Sequence, residues 1–371
     1  MTEKIILITH EYPPSRGGAG IYCREVATAA TKEGFNINVW APFKPEFDSE
    51  IIGSELSWKG SQSWISSIRL FFKIKKHLFQ QDNHPIIHIG DLGVCRAFTR
   101  FVLFIPSGTR ILITIHGSEL KKCCSNPIEK ILFRRLLQKS ERIHVLSKFN
   151  QNKCIDFLPS LSSKIKRIGG APSRVVDAAR TTKPIKKDSK ELRVLCVGRI
   201  HPRKGQCLIV RAACKLPNSY QERLIISFVG PEKNQKYKDQ ISGFGKNFLG
   251  EIEFKGDLNE PDLAHSYRNA DIFCLTPENT NNSVEGFGIA YLEASAFSLP
   301  ILATRVGGVE DAVIDQQTGF LSAPGDINEL KNYLQRLMED KELREKMGSE
   351  GRKWSQKHSW QKLVKELYQN Y

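Results

Sequence analysis

Short apolar runs rich in Ile and Val recur along the chain, separated by intervals long enough for a helix. They lie at residues 5–9, 37–40, 86–88, 111–115, 143–146, 193–197, 224–229, 272–275 and 301–303. Such runs are typical of buried parallel strands in a sheet that helices cover on both faces. They fall into two series, which predict two doubly wound α/β domains. We expect the two domains to face each other across a cleft, with ligands at the carboxyl ends of the strands.

A polar stretch with two prolines, Pro172 and Pro184, separates the two series and has the composition of a linker. The pattern predicts four segments: an N-terminal domain at residues 1–172, a linker at 173–190, a C-terminal domain at 191–353 and a terminal helix at 354–371. The terminal helix is expected to return to the N-terminal domain. Its apolar side would carry Trp360, Leu363, Val364 and Leu367.

The charge of the chain is strongly positive and unevenly distributed. Its 371 residues include 55 Lys and Arg against 40 Asp and Glu, a net charge of +15. Residues 1–172 carry +11 of this excess and the remainder carries +4. A positive surface favours partners that bear phosphate, whether nucleic acid, anionic lipid or a charged small substrate. The charge alone does not select among them.

The nine cysteines form no Cys-x-x-Cys pair, so neither a zinc site nor a disulfide framework is indicated. This usage is typical of a reducing compartment. The N-terminal segment lacks the long apolar stretch of a signal peptide, and no later run approaches the ~18 residues of a membrane span. We therefore expect a cytoplasmic protein, either free or peripheral on the inner face of the cytoplasmic membrane.

A glycine-rich turn follows the first strand and leads into a helix near Ile21. Glycines at such a turn let the backbone approach a ligand, and the N-terminus of the next helix favours negative charge. Gly17 and Gly18 are therefore candidate ligand-binding residues. The alternative is a tight turn without a ligand.

A second turn, at the start of the second series, is rich in cations. Gly198 and Arg199 follow its strand, and Lys204 and Gly205 precede the next helix. An arginine guanidinium binds phosphate oxygens in a bidentate way, and a lysine ammonium adds a compact positive charge. Arg199 and Lys204 are therefore predicted to bind a diphosphate. The alternative is an exposed basic turn.

The most informative segment has two carboxylates, Glu285 and Glu293, around a Gly-x-Gly turn that opens an apolar helix. The carboxylates would accept hydrogen bonds from sugar and ribose hydroxyls. Free amides near the helix start would receive an oxyanion, at Gly286, Phe287 and Gly288. A further glycine turn follows at residues 307–308. The alternative is a solvated helix start, which the combination with the other turns disfavours.

Taken together, these motifs resemble one family. The chain resembles the retaining glycosyltransferases of family four, which have the GT-B fold of two Rossmann-like domains. The residues that carry this resemblance are Gly17-Gly18, His116-Gly117, Gly198-Arg199, Lys204-Gly205, Glu285 to Glu293 and Gly307-Gly308. A narrower likeness, at Pro13-Pro14 and residues 285–296, is to bacterial phosphatidylinositol mannoside mannosyltransferases and related lipid- or polysaccharide-building enzymes.

In the C-terminal half, the resemblance implies a site for a nucleotide diphosphate sugar. Glu293 would bind the ribose hydroxyls and Glu285 a hydroxyl of the donor sugar. Arg199 and Lys204 would bind the two phosphates beside Gly198. The sugar or the distal phosphate would be held by the amides of Phe287 and Gly288.

In the N-terminal half, the resemblance implies that His116 faces the donor sugar near the reacting carbon. Gly17 and Gly18 would admit the diphosphate. The chain departs from the family at residues 297–300, Phe-Ser-Leu-Pro, where a glycine usually follows the catalytic helix. That helix must therefore end without the residue best suited to a left-handed cap.

Many glycosyltransferases hold a divalent metal with an Asp-x-Asp motif, and this chain contains none. Fixed cations at Arg199 and Lys204 would stabilise the departing diphosphate, so we predict metal-independent transfer without a cofactor. The resemblance implies retention and gives Glu285 and Glu293 binding duties, which leaves no carboxylate pair for a double displacement. We therefore expect front-face attack. The resemblance implies a UDP- or GDP-sugar as the donor, and we expect the transferred sugar to be a hexose or an N-acetylhexosamine.

The basic N-terminal half suggests an acceptor. Residues 59–81 and 121–139 interleave Lys and Arg with aromatic and aliphatic side chains, which suits an interfacial helix on anionic lipid. This favours a lipid-linked or cell-surface glycan as acceptor and an anionic membrane as partner. The alternative is an ordinary amphipathic helix with a solvated basic face.

Three other functions are compatible with the sequence. The same chemistry on a small soluble acceptor would make the basic surface incidental. A nucleic-acid-binding protein would use the charge directly, but no known nucleic-acid motif supports it. A catalytically silent sugar-nucleotide binder is disfavoured by the complete set of Arg199, Lys204, Glu285 and Glu293.

Overall fold

The structure is a computed structural model that describes residues 3–13, 17–41, 52–55, 63–77, 85–178, 190–278 and 284–369, with the backbone alone at 52–55 and 77. The chain divides into two compact units. Unit 1 comprises residues 1–170 and 359–371, and unit 2 comprises residues 171–358. None of the helices in the described ranges is long and apolar enough to span a bilayer.

The described residues of unit 1 form one seven-stranded parallel sheet. Its strands are β1 (Lys4–Ile8), β2 (Asn36–Ala41), β3 (Ile52–Glu55), β4 (Ile86–Ile89), β5 (Ile111–Ile115), β6 (Arg142–Val145) and β7 (Ile165–Arg167). They lie in the order β3-β2-β1-β4-β5-β6-β7. The order therefore reverses between β1 and β4, whose carboxyl ends are side by side.

Six helices of the N-terminal segment surround this sheet within the described part of unit 1. They are α1 (Gly18–Lys32), α2 (Trp64–His77), α3 (Leu92–Arg100), α4 (Glu119–Lys122), α5 (Pro127–Lys139) and α6 (Lys148–Phe157). Polar caps fix several starts: Asp91 accepts from the Val94 amide at α3, and Asn126 accepts from the Glu129 amide at α5, where Pro127 is the first helical residue. Short 3-10 turns occur at Val102–Phe104 and Pro159–Leu161.

Unit 2 has a six-stranded parallel sheet in its described part. Its strands are β8 (Leu192–Val197), β9 (Leu224–Val229), β10 (Glu251–Phe254), β11 (Ile272–Leu275), β12 (Ile301–Thr304) and β13 (Gly319–Ser322). The order is β10-β9-β8-β11-β12-β13, so it reverses between β8 and β11. Strands β9, β11, β12 and β13 are buried along their length, as expected for parallel strands between two helical layers.

The helices of unit 2 in the described ranges alternate with these strands. They are α7 (Val175–Ala178), α8 (Gln206–Ala213), α9 (Asn218–Gln221), α10 (Gln235–Phe244), α11 (Glu260–Asn269), α12 (Ile289–Ala296), α13 (Val309–Ala312), α14 (Ile327–Glu339) and α15 (Lys341–Gln356), with 3-10 turns at Pro202–Lys204 and Gly245–Asn247. The prediction of two doubly wound α/β domains is confirmed.

The structure places the segment boundaries differently from the sequence pattern. Residues 171–178 of the expected N-terminal domain and linker belong to unit 2, where α7 packs on α11 and α12. Residues 179–189 of the expected linker lie outside the described residues, as do 279–283, 59–62 and 78–81.

The terminal helix, α16 (Trp360–Tyr368), begins later than the expected residue 354. Trp354 belongs to α15 and donates a hydrogen bond from Nε1 to the Ala312 carbonyl in unit 2. Ser359 starts α16 by accepting from the Lys362 amide. The helix packs on α1 of unit 1 with its expected apolar side chains buried, Trp360, Leu363, Val364 and Leu367.

The exit from α12 shows how the chain manages without the usual glycine. Ser298 adopts a left-handed conformation with φ +60°, and the Leu299 amide donates to the Ala294 carbonyl. Helix α15 passes so close that a Cβ on Gly348 would lie 2.0 Å from the Ser298 carbonyl oxygen. A serine, rather than a glycine, therefore adopts the strained left-handed conformation that ends α12.

Candidate functional site

In unit 2, the candidate residues lie at the carboxyl ends of β8 and β11, where the strand order reverses. Open parallel sheets bind ligands at this point, because loops from neighbouring strands diverge there to opposite faces. Gly198 to Gly205 follow β8, and Glu285 lies on the connection that follows β11. The structure thus brings the second and third sequence motifs to one edge of the sheet.

Three charged side chains, Arg203, Lys204 and Glu285, form the ion cluster of this edge. Arg203 Nη1 lies 2.5 Å from Glu285 Oε2, and Lys204 Nζ lies 2.8 Å from the same oxygen. All three side chains are largely buried. Within the described ranges Glu285 Oε1 accepts no hydrogen bond. The cluster therefore holds the carboxylate by one oxygen and leaves the other for a ligand.

Charge pairing controls the ionisation of this cluster. Burial raises the pKa of Glu285, but Lys204 and Arg203 outweigh it and bring that pKa to about 2, below the ordinary 4.5. For Lys204, burial and the neighbouring Arg203 lower the pKa, and Glu285 opposes this shift without cancelling it. Glu285 is therefore an anion at neutral pH and acts as a hydrogen-bond acceptor rather than an acid.

Two glycines let the surrounding loops approach the cluster. Gly205 has φ +69°, and a Cβ there would lie 1.7 Å from the Thr276 carbonyl oxygen at the end of β11. Gly307 has φ +61°, and a Cβ there would lie 2.1 Å from the Glu285 carbonyl oxygen. That oxygen accepts from the Gly308 amide at 2.9 Å. The glycine turn at residues 307–308 thus fixes the backbone of Glu285.

Glu293 lies inside α12 and is also buried, but with neutral partners. Its Oε1 accepts from the Ser173 hydroxyl at 2.5 Å and its Oε2 from the Tyr267 hydroxyl at 2.7 Å. Burial, with the charge of Glu293, raises the pKa of Tyr267 well above its ordinary value. The ribose-binding role of Glu293 stays a prediction.

The other candidate residues of unit 2 lie in the turn after β8 and at the start of α12. Arg199 is exposed, and the cation that joins Lys204 on Glu285 is Arg203. Gly288 is the N-cap of α12 with φ +90°. In the described part of the chain, the amides of Phe287 and Gly288 donate to no protein acceptor. Gly198 and Gly286 flank these groups along the same loops. The phosphate-binding role of Arg199 stays a prediction.

Unit 1 places polar residues at the corresponding edge, after β1, β4 and β5. Asp91 is buried and accepts from the Thr9 hydroxyl at 2.7 Å and from the Glu11 amide at 3.1 Å. Both the amide and the ring of His10 also contact its carboxylate. Burial raises the pKa of Asp91, but His10 and the other hydrogen bonds outweigh burial and bring that pKa well below its ordinary range. Asp91 therefore fixes the start of the glycine-rich loop.

His116 follows β5 and is held from two sides. Its Nε2 lies 2.9 Å from the Gly90 carbonyl oxygen, so Nε2 carries the proton and Nδ1 is the acceptor. The Tyr22 ring packs edge-on against the imidazole, with centroids 5.0 Å apart. A rigid imidazole with a defined tautomer suits a ligand-contacting role.

Five buried polar side chains beneath His116 form a connected series of hydrogen bonds. We call this series the histidine chain, and its members are Tyr22, His88, Thr114, His144 and Tyr368. His144 Nε2 donates to the Ile168 carbonyl at 2.9 Å, so its Nδ1 accepts from the Tyr22 hydroxyl at 2.9 Å. Burial lowers the pKa of His144 to about 4. The ring is therefore neutral at physiological pH.

The same logic orients the rest of the histidine chain. The Tyr22 oxygen accepts from the Thr114 hydroxyl at 3.1 Å, and Thr114 accepts from His88 Nε2 at 2.8 Å. His88 Nδ1 then accepts from the Tyr368 hydroxyl of α16 at 2.7 Å. Burial, reinforced by the neighbouring histidines, lowers the pKa of His88 well below 6.5. All five protons thus point in one direction along the chain.

Gly17 and Gly18 begin α1, and residues 14–16 before them lie outside the described part. A Cβ on Gly17 would meet the Glu11 carboxylate, the movable end of a side chain, and one on Gly18 would meet nothing within 4 Å. Packing therefore does not require glycine at either position. No group of three His, Cys, Asp or Glu that would hold a metal ion occurs in the described ranges.

The sequence patterns did not predict several residues of these sites. Arg203 carried a signal, since it lies beside Lys204 in the same turn. Ser173, Tyr267 and Asp91 carried none, because their partners are distant in sequence and isolated polar residues are common on surfaces. The histidine chain had no spacing that would distinguish it from unrelated core histidines.

Two family models match the chain in succession. The model described as Glycosyltransferase Family 4 matches residues 16–169, and that described as Glycosyl transferases group 1 matches residues 177–354. The chain therefore belongs to the glycosyltransferases of this type, as the resemblance predicted.

Relatives and solved structures agree with this membership over nearly the full chain. An uncharacterized glycosyltransferase of Methanocaldococcus jannaschii is 24% identical, over 97% of this chain and 95% of that protein. A GDP-mannose-dependent monoacylated alpha-(1-6)-phosphatidylinositol monomannoside mannosyltransferase of Corynebacterium glutamicum is also 24% identical, over 95% and 93%. The structure of Anabaena HepE in complex with UDP and glucose matches with TM-score 0.77 at 17% identity, over 100% of both chains. The protein is thus a nucleotide-sugar glycosyltransferase with the fold of its family.

Proposed function

We propose that this protein transfers a hexose or N-acetylhexosamine from a UDP- or GDP-sugar to a lipid-linked or cell-surface glycan, with retention and without a metal ion. The observation that carries this proposal is the ion cluster, in which Arg203 and Lys204 hold Glu285 by one carboxylate oxygen. It offers a fixed acceptor for a sugar hydroxyl directly beside a buried cation.

Each group of unit 2 takes one part of the donor in this proposal. Glu285 Oε1 accepts from a sugar hydroxyl. Lys204 has three N–H donors, and one suffices for Glu285, so the others remain for a phosphate oxygen. Arg199, exposed at the same turn, binds the second phosphate. The amides of Phe287 and Gly288 hold the sugar or the distal phosphate, and Glu293 accepts from the ribose.

These cations also support transfer without a metal. As the sugar–phosphate bond breaks, negative charge grows on the departing diphosphate, and prearranged cations stabilise it without reorganisation. For retention, we propose that the acceptor hydroxyl attacks from the face that the diphosphate leaves. The proton of that hydroxyl passes to the leaving phosphate oxygen as the new C–O bond forms. In unit 1, His116 is assigned to the donor sugar.

The acceptor and the location rest on different support. The name of the Corynebacterium glutamicum relative specifies a phosphatidylinositol monomannoside acceptor, which favours a lipid-linked acceptor here. The nine cysteines are all free thiols, which suits the reducing cytoplasm. We therefore propose action in the cytoplasm, on the inner face of the membrane.

A thermal-shift screen of UDP, GDP and their sugars, with EDTA or Mg²⁺, tests the donor and the metal independence. A ligand of the native state raises the midpoint by mass action. We expect one nucleotide series to raise it equally in EDTA and in Mg²⁺. A shift that requires Mg²⁺ contradicts the metal-free proposal, and no shift from any nucleotide contradicts the donor site.

Proton NMR of the product tests retention. The anomeric coupling constant of the transferred sugar should match that of the donor. An inverted product removes front-face attack. Transfer to soluble sugars at rates equal to those on lipid-linked glycans would replace the proposed acceptor with a small soluble one.

A further inference from the structure

Unit 1 exposes an unusual set of large apolar side chains. Ten large hydrophobic residues in the described ranges are exposed, and eight of them lie on α2, on the 3-10 turn Val102–Phe104 or on α5. These eight residues are between 41% and 70% exposed, and we call them the apolar face: Trp64, Ile65, Ile68, Phe72, Leu103, Phe104, Ile128 and Ile131. Such clustering indicates an interaction surface rather than scattered exposure.

Helix α2 departs from an ordinary amphipathic helix. It buries Leu70 and Ile74 toward α3, as a surface helix should. Yet its solvent side presents four further large apolar residues, where an ordinary helix would present charged ones alone. The solvent side of α2 is therefore both basic and apolar.

Direct contacts join the elements that carry the apolar face. Phe71 of α2 stacks on Phe101 with centroids 4.8 Å apart and contacts Phe104 at 5.9 Å. The buried Arg100 lies over the Trp64 ring at 4.5 Å and pairs with Glu129 of α5 at 3.0 Å. Separate parts of the sequence thus form one surface on a packed support.

The charges on these elements are almost entirely positive. The apolar face is interspersed with exposed cations, Arg69, Lys75, Lys76, Lys130, Arg134 and Arg135. Helix α2 has no acidic residue, and the one acid of α5, Glu129, is buried in ion pairs with Arg96 and Arg100. No exposed carboxylate on either helix therefore offsets the cations.

This charge pattern selects the partner. A symmetric dimer would place the same patch on both sides, so cations would oppose cations without carboxylates to pair them. An anionic bilayer supplies both complements, since its acyl boundary accepts Trp, Phe and Ile and its headgroups attract Lys and Arg. We propose that the apolar face docks this protein on an anionic lipid bilayer.

Co-sedimentation of the full chain with vesicles tests this proposal without any substrate. Vesicles of phosphatidylcholine with about one-third phosphatidylglycerol should bind the protein in 0.1 M salt, and pure phosphatidylcholine should bind it far less. Because each cation near the surface contributes about fivefold, the triple variant Arg69→Gln, Lys130→Gln, Arg135→Gln should bind about a hundredfold more weakly. Phe104→Asp with Ile131→Asp should weaken binding at least about tenfold.

Unit 2 supplies matched controls. Phe244 and Leu249 are 47% and 50% exposed, so Phe244→Asp with Leu249→Asp should leave vesicle binding unchanged. Lys236→Glu controls for charge at an exposed position. Circular dichroism and the thermal midpoint check that every variant folds.

Three results would overturn the proposal. The first is no binding of the unaltered protein to the anionic vesicles. The second is an equal loss of binding in the unit 2 controls. The third is a self-associated protein that the face variants convert to monomer without a change in vesicle binding, which would make the face a protein interface. Donor binding enters none of these results, so the test is independent of the proposed catalytic function.

Discussion

Each unit buries polar groups beneath or beside the reversal point of its parallel sheet, and two sets of these groups, the histidine chain and the ion cluster, have opposite chemical forms. In unit 1 the histidine chain is neutral throughout, and hydrogen bonds satisfy its polar atoms one after another. In unit 2 the ion cluster keeps two cations and one anion in a largely buried setting. Burial alone therefore does not dictate whether a group gives up its charge.

The difference separates structural groups from groups kept for a ligand. Buried ions carry a desolvation cost that their attraction often fails to recover, so an ion cluster is a poor device for stability. A neutral chain avoids that cost and supports a fixed packing around it. We infer that unit 1 uses polar burial as a scaffold beneath His116, whereas unit 2 retains charge for an anionic ligand.

The largest expected effect is on catalysis by the ion cluster. Lys204→Met should lower kcat/KM for the donor sugar about 1000-fold, because one prearranged charge contact to the leaving group is lost. Steady-state kinetics with a radiolabelled donor measures this. The exposed Lys233→Met is the matched control and should retain full activity. A Lys204→Met enzyme within threefold of the unaltered rate would remove the cluster from the mechanism.

A smaller effect is expected in the pH dependence of unit 1. Buried His144 and His88 stay neutral when folded but bind protons when unfolded below pH 6.5, so stability falls as pH falls from 6.5 towards 4. Each histidine should contribute about 1.4 kcal/mol of unfolding free energy per pH unit in this window. For Glu285 the folded pKa is depressed, so its contribution is lost only between about pH 4.5 and 2.

Urea unfolding at pH 7 and pH 5, followed by tryptophan fluorescence, measures this contrast. Trp40 and Trp360 report on unit 1, and Trp354 reports on unit 2. His144→Gln does not titrate, so it should be less stable at pH 7 but show a shallower pH slope. An unchanged slope in that variant would contradict the neutral histidine chain.

The hydroxyl of Tyr368 should make a smaller contribution to the free energy of unfolding. Tyr368→Phe removes the donor to buried His88 Nδ1 and should cost about 1–3 kcal/mol of unfolding free energy. Tyr220→Phe is the control, because its hydroxyl bonds Glu339 at an exposed position and its loss should cost little. Equal losses in the two variants would mean that the histidine chain gives no special support.

The smallest expected effect lies at the exit of α12. Ser298→Gly should stabilise the protein by about 0.5–1 kcal/mol, because glycine adopts φ +60° without strain. Thermal unfolding measures the change. Ser349→Gly, at an exposed position inside α15, should instead destabilise by a few tenths of a kcal/mol. A destabilised Ser298→Gly protein would show that the serine is favoured by a contact rather than tolerated.

The sequence predicted the features that repeat along the chain, but it did not predict individual side-chain contacts. Apolar runs marked nine of the thirteen strands that the structure describes, and glycine turns marked both reversal points, because these depend on local composition. The runs did not mark β3, β7, β10 and β13, which are short strands at or near the edges of the two sheets. The pairing of Arg203 rather than Arg199 with Glu285 depends on how the turn after β8 folds back, which neighbouring residues do not encode. The composition around Ser173 predicts a linker, yet the Ser173 hydroxyl donates a hydrogen bond to Glu293.

The same limit applies to the surface. Helix α2 was recognisable as basic and apolar, but Leu103 and Phe104 belong to a turn with no such pattern. Only the packing of α2, α3 and α5 brings these side chains onto one face. Sequence therefore predicted the chemistry of that surface and not its extent.

The position of α16 has a consequence for the order in which the protein matures during synthesis. The ribosome produces this helix after all of unit 2, yet Trp360 and Tyr368 complete the interior of unit 1. Until residue 368 has left the ribosomal tunnel, His88 lacks its donor and the apolar side of α1 has no cover. Unit 2, contiguous in sequence, is thus the first to have all its parts, which reverses the usual order in which N-terminal domains finish first.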